Sequence, residues 1–345
     1  MVAEVDLLVL GAGPAGSAAA IVAARAGLHV LVLERSLFPR HRPGETLHPG
    51  VEPLLKRIGA RDALLSADYV RHSGTWVEWG QPPRFEPFGS DGAGPWLGFQ
   101  AVRSDFDARL LAVATGAGAE VRQESAVVEA IVDAARVVGA RCQQGAVRAR
   151  FVVDAMGDPH RLARQLRTPM LRYSRPLQVR YGYVTGHCPA RDDAPLIAAD
   201  EHGWTWTACI GPQRYQWTRL DLRKGHPVTE WRPTEFTGLT DLGRVRGADV
   251  TWRMAERVAG GGYFLAGDAA VVLDPTSSHG VLRALMSGVM AGHLASQVVR
   301  EEVSDAVAAD HYHRWLTDWF RHDLTFMRRW YRELFVNTRV PPSGR

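Results

Sequence analysis

Three clusters of residues carry most of the chemistry that can be read from this chain. The first is Gly11-Ala-Gly13-Pro14-Ala15-Gly16, directly after an apolar run. A glycine turn of this form lets the backbone approach a dinucleotide pyrophosphate, and the helix it opens presents free N–H groups and a positive dipole end to the phosphates. Glu34 follows 18 residues after Gly16, where a carboxylate can accept hydrogen bonds from ribose hydroxyls. Arg35 comes next. The second cluster is Arg40-His-Arg42-Pro-Gly44-Glu45-Thr-Leu, a loop rich in cations with one acid. The third runs from Gly267-Asp268 to Asp274-Pro275-Thr-Ser-Ser-His279-Gly280-Val281. Asp268 closes an apolar strand and can bond a polyol chain. The Gly280-Val281 turn opens a helix whose N–H groups can face an anionic ring edge.

These clusters need elements to hold them. Residues 6–10 and 29–33 read as buried parallel strands flanking an Ala-rich helix that runs to about Ala26, a complete β-α-β unit. A short helix is expected over 53–58 and a long one from Gly280 to about Val299. In the middle of the chain, residues 177–184, Trp204 to Ile210 and Tyr215 to Asp221 alternate with period two between Gly/Pro turns, as antiparallel strands do. Residues 311–335 predict a helix with Trp315, Trp319, Phe326, Trp330 and Leu334 on one broad face, flanked by arginines, the tail 341–345 being disordered.

With 345 residues, 46% hydrophobic and 23% charged, the chain can bury a sizeable core in about two domains. The net charge of +4 is spread without an arginine stripe, which argues against nucleic-acid binding. Three cysteines with no Cys-x-x-Cys spacing argue against a metal site or a disulfide framework. The apolar N-terminus lacks a basic leader and is broken by its glycine turn, so it reads as neither signal peptide nor membrane span, and the expected location is cytoplasmic. Only two of the 41 basic residues, Lys56 and Lys224, are lysines.

The order of motifs resembles the class A FAD monooxygenases, and more narrowly the flavin-dependent halogenases and their non-halogenating relatives. The resemblance spans residues 5–300 through the glycine turn, Glu34, Gly44-Glu45, Arg103 with Phe106-Asp107, Asp154-Ala-Met-Gly157, Gly267-Asp268 and Asp274-Pro275. It implies FAD as cofactor. It also implies an α/β fold in which a Rossmann-type FAD domain (1–72, 100–168 and 250–300) carries an inserted antiparallel substrate sheet (73–99 and 169–249) and a C-terminal helical segment (301–345). Arg103 would help hold FAD, or else pair with Asp105 or Asp107; Asp154 is a cofactor residue or a strand-end turn residue.

Family halogenases place a lysine in the stretch that resembles residues 69–80. Here that stretch reads Arg71-His72-Ser-Gly, and an arginine stays protonated and cannot act as an amine nucleophile. The resemblance therefore points away from halogenation toward hydroxylation of an electron-rich ring. In the family, reduced FAD and O₂ form a C4a-hydroperoxide with an electrophilic distal oxygen. His72, His279 and Glu45 are the catalytic candidates, as base or substrate hydrogen-bonder, each with a bland alternative as a satisfied loop or turn residue. Gly203-Trp204-Thr-Trp206 matches only the start of a halogenase motif, and the two rings equally suit a sheet core. The 274–288 loop is most similar to halogenase-like flavoproteins that mature tryptophylquinone cofactors, which implies a tryptophan of a partner protein as substrate. Electrons would come from NAD(P)H or a partner reductase. A reductase of the geranylgeranyl reductase type is the alternative, with halogenation itself ranked below it and a flavin-bearing chaperone a further reading.

Overall fold

The computed structural model describes residues 3–223 and 231–337. Strand β1 (Ala3–Leu10), helix α1 (Pro14–Arg25) and strand β2 (Val30–Leu33) form the expected unit. After them come helix α2 (Val51–Arg57), strand β3 (Gly74–Trp79), helix α3 (Arg103–Gly116) and strand β4 (Gly145–Asp154). Strands β5 (Gln178–Thr185), β6 (Gly203–Gly211), β7 (Arg214–Asp221) and β8 (Tyr263–Leu265) follow, then helices α4 (Gly280–Val299) and α5 (Asp305–Asn337).

The first sheet has β1 at its centre, parallel to β2 on one side and β4 on the other. The last residues of β4 pair in parallel with β8, so the carboxyl ends of β1, β2, β4 and β8 lie along one sheet edge. Leu7, Leu8, Val9 and Leu10 are all fully buried, which is why this strand reads as an unbroken apolar run rather than an alternating one. Helix α4 packs on α1 at backbone distance: a Cβ on Gly288 would stand 2.1 Å from Ala15 O, and one on Gly292 2.6 Å from Ala19 O. Two glycines four apart create that groove.

The second sheet contains the tryptophan-rich strands. Strands β5, β7 and β6 are antiparallel neighbours. Strand 196–200 then runs parallel to β3, not antiparallel, because β3 arrives from before α3 and enters the sheet by a long crossover. Both faces of this sheet are covered. Trp204 and Trp206 face the main core, while Tyr215, Trp217, Phe236 and Val184 make a separate cluster behind it.

Helix α5 starts six residues earlier than its sequence suggests, and its buried face is offset. The core stripe is Tyr312, Leu316, Phe320, Leu324, Met327 and Tyr331, whereas Trp319 and Phe326 are 44% and 48% exposed. Both stripes recur at helical intervals, so spacing alone does not choose between them; the core covers the one that carries Tyr312 and Tyr331. The tail beyond residue 337 lies outside the described residues.

Candidate FAD and substrate site

The glycine turn is built as the spacing requires. Gly11 has φ +95°, and a Cβ there would stand 2.7 Å from Ala155 O. A Cβ on Gly16 would stand 1.9 Å from Gly11 O. Gly13 differs: its Cβ would meet only Arg40 Nη2 at 3.5 Å, so space remains beside it. Helix α1 begins at Pro14 with no side-chain cap and no acid in its first turn, which leaves its N–H groups to a ligand. Ala15 packs against the Asp268 loop, a Cβ on Gly267 standing 3.0 Å from Ala15 Cβ.

Glu34 is buried and oriented, its Oε2 accepting Ala12 N–H and its Oε1 accepting Ser36 N–H, both at 2.9 Å. Arg35 and Arg42 are exposed. The cation beside the turn is instead Arg40, which sequence reasoning passed over. It stacks on Phe38 at 4.5 Å and pairs with the fully buried Asp107 at 3.3 Å. Arg103 donates to both oxygens of the same Asp107, at 2.9 and 3.0 Å, and to Pro43 O at 3.0 Å. Asp105 is engaged elsewhere, by Arg109 and Tyr69. Arg103 thus makes the ion pair and also stands against the Gly44 loop, 3.3 Å from where a Gly44 Cβ would be.

Two acids sit at the strand ends. Asp154 accepts Met156 N–H at 2.9 Å through Oδ1, while its buried Oδ2 has no partner. Burial pushes its carboxyl up to about 7. Asp268 is exposed at the end of β8. Desolvation by the surrounding protein raises its carboxyl, opposed by Arg283, Arg103, Arg253 and His160. Arg103 also acts on Glu45, so three separate loops converge on one charge cluster. Gly280 opens α4 with nothing within 4 Å of its Cβ position, Val281 is buried behind it and Pro275 is exposed. A cavity of ≈ 300 Å³ lies beside the turn, lined by Leu10, Val127, Ala130, Met156, Arg161 and Gln165 among others. Open space at Gly13, the unpartnered Asp154 oxygen and the free helix starts all suit a large anionic dinucleotide such as FAD.

Glu45 also borders a cluster of aromatic and imidazole side chains. Glu45 is 3% exposed; Tyr183 O–H donates to its Oε1 at 2.6 Å and Gly44 N–H to its Oε2 at 2.9 Å. Burial raises its carboxyl, and these hydrogen bonds pull the other way. His72 is held at both ring nitrogens. Nδ1 bonds Gly74 O at 3.0 Å and therefore carries the proton; Nε2 is 3.3 Å from the Gln100 amide. Burial pushes it down to about 4. Gln100 in turn accepts from Thr46, and Thr46 Oγ1 accepts from Trp206 Nε1 at 3.1 Å. The carbonyl of His279, the N-cap residue of α4, accepts Arg283 N–H at 2.8 Å, while its ring makes no hydrogen bond among the described residues; burial, Arg283 and His48 push it down to about 4. His48 was missed, although it lies three residues after Glu45. Its Nδ1 accepts Gly50 N–H at 3.0 Å, its ring meets that of His279 edge-on at 4.7 Å, and Phe88 packs on it at 5.7 Å. Phe88 packs on His72 as well, at 5.4 Å, so His48 and Phe88 join two residues that the sequence separates.

Lys56 is exposed on α2, and Lys224 lies outside the described residues. Among the described residues no cluster of acids, histidines or cysteines could hold a metal ion, and no helix is long and apolar enough to cross a membrane.

A family model for FAD dependent oxidoreductases matches residues 6–39. Over 342 residues the chain is 28% identical to tryptophan 2-halogenase of Chondromyces crocatus, with 89% of this chain and 64% of that protein covered. It is 30% identical over 361 residues to a flavin-dependent halogenase of Armillaria mellea, covering 88% and 67%. The chain thus spans about two thirds of the length of these relatives. The structure of the chondrochloren halogenase superposes with a TM-score of 0.87 at 26% identity, covering 95% of this chain and 83% of that one. Glycine turn, buried acids, convergent loops and tryptophan-rich sheet together are those of an FAD-dependent oxidoreductase, and the chain belongs to the flavin-dependent halogenase family within the class A FAD monooxygenase-like superfamily.

Proposed function

We propose that this chain is a monooxygenase that hydroxylates an electron-rich aromatic ring, although its family is named for halogenation. One observation carries the reading: the stretch 69–80, where the family resemblance puts the halogenating lysine, offers no amine. Arg71 is committed to Glu52 at 2.7 Å and stacks on Phe99 at 5.4 Å, and His72 is buried with both nitrogens engaged. FAD, reduced by NAD(P)H or by a partner reductase, supplies the oxygen activation; one atom of O₂ enters the ring and the other leaves as water.

The chain's own residues supply binding and proton handling. The first sheet with α1, α3 and α4 holds the cofactor through the glycine turn, Glu34, Arg40, Arg103, Asp154, Asp268, Pro275, Gly280 and Val281. The cleft between Glu45, His279 and the tryptophan-rich sheet holds the substrate. His279 is neutral at pH 7 and free to accept the proton that the ring gives up as oxygen is added. Glu45 fixes Tyr183 on the pocket wall, and His72 anchors the Gln100–Thr46–Trp206 chain beside it. Closing this pocket keeps water from the oxygenating centre. Tryptophan in the name of one relative favours an indole ring, and we extend this to a tryptophan borne by a partner protein, matured in the cytoplasm where the three free cysteines stay reduced.

Membership in the halogenase family favours halogenation as the second reading. The two part in one assay: reduced FAD, O₂ and bromide supplied together with tryptophan, or with a tryptophan-containing peptide. Hydroxylation gives a product heavier by one oxygen with or without bromide. A brominated ring, absent without bromide, overturns the proposal, as does substrate reduction that needs no O₂.

A further inference from the structure

The two tryptophans of β6 are more than sheet core. Trp206 Nε1–H donates to Thr46, in the Glu45 loop, at 3.1 Å. Trp204 Nε1–H donates to Tyr331 Oη at 3.0 Å, and Tyr331 O–H donates to Asp274 Oδ2 at 2.5 Å. Asp274 is fully buried and also accepts from Trp252 Nε1 at 2.9 Å, from Thr276 N at 3.1 Å and from the Thr276 hydroxyl. It opens the 274–279 segment that leads into α4. The far end of that segment is gripped as well: Arg283, in the first turn of α4, pairs with Asp323 at 2.8 Å, with both side chains at most 15% exposed. Met327 Sδ lies 3.6 Å from Thr276 Oγ1.

Asp323, Met327 and Tyr331 are spaced by four, so they form one stripe of α5. That single stripe contacts both ends of residues 274–283 and ties them to the substrate sheet through Trp204. Burying a carboxylate here is tolerable only because donors surround it; removing one leaves a buried polar atom short and Trp204 N–H without an acceptor.

We infer that α5 is a clamp on the FAD loop and that Tyr331 is a positioning residue: it sets residues 274–283, and through them the fit of the flavin, from a helix that lies behind the loop. The inference rests on the reading that Pro275, Gly280 and Val281 hold the flavin. The test uses the FAD-loaded full chain, with hydrogen exchange of residues 271–285, FAD affinity and the visible flavin spectrum as readouts. The variants are Tyr331→Phe and Asp323→Asn, with the exposed Trp319→Ala as control. Both clamp variants should speed exchange in 274–283 about tenfold, weaken FAD about tenfold and shift the flavin band, whereas the control should do none of these. If Tyr331→Phe fails to fold, the less buried Asp323→Asn carries the test. Unchanged exchange in the clamp variants overturns the inference. Faster exchange with unchanged FAD affinity and spectrum also overturns it, and places the error in locating the flavin at Gly280–Val281 rather than in the grip of α5.

Discussion

Replacing His72 by phenylalanine separates an anchoring histidine from a catalytic one. His72 is 3% exposed and pushed by burial from 6.5 down to about 4, with the Gly74 carbonyl opposing that shift. Above pH 6.5 the imidazole is neutral both folded and unfolded, and its contribution to stability is constant. Below 6.5 the unfolded chain takes up a proton that the folded protein refuses, so stability falls with pH until about 4 and then levels. A gap of about 2.5 units at 1.36 kcal/mol per unit is worth about 3 kcal/mol across that window. Phenylalanine keeps the ring but loses the bonds to Gly74 O and Gln100, costing about 2 kcal/mol at pH 8. Urea unfolding followed by tryptophan fluorescence at pH 8, 6.5, 5.5 and 4.5 reads the difference directly. The variant should be less stable at pH 8, should draw level with the wild type at about pH 5 and should be no less stable than it at lower pH. A stability gap that stays constant over that range refutes the reasoning, because His72 would then titrate alike in both states.

Gly16→Ala should give a colourless protein that does not bind FAD, since its Cβ would lie 1.9 Å from Gly11 O; the visible flavin absorbance after reconstitution checks it. Asp107→Asn leaves Arg103 and Arg40 short of a buried counter-charge and should lower the unfolding free energy by about 3 kcal/mol, measured by denaturant titration at pH 8. His279→Gln should lower kcat by about 10²–10⁴ in a steady-state assay while leaving FAD absorbance intact, and a loss below tenfold would remove it as the base.

What the sequence disclosed was what is local. The glycine turn, Glu34 and the flanking strands are contiguous, and Gly11 and Gly16 answer to backbone contacts on the neighbouring strand and within the turn itself. Asp268 and the start of α4 were legible because a strand end and a helix start punctuate the chain. Arg40 was not, because three arginines crowd residues 35–42 and only the fold shows which of them turns toward Gly13 and Asp107. His48 was invisible as a site residue until the fold brought its ring onto that of His279, 231 positions away in the chain. The parallel pairing of strand 196–200 with β3 depends on a crossover of more than a hundred residues, which period-two alternation does not encode. The scarcity of lysine was legible throughout. Its meaning sharpened once the chain proved to belong to a family defined by halogenation, and once Arg71 was found paired with Glu52.

Oxygen transfer and halogenation by this fold are told apart with ¹⁸O₂. With reduced FAD, bromide and an indole substrate, the product should carry one ¹⁸O atom in its ring, none from H₂¹⁸O, and no bromine. A brominated product without ¹⁸O, or a reduced one formed without O₂, would contradict oxygen transfer.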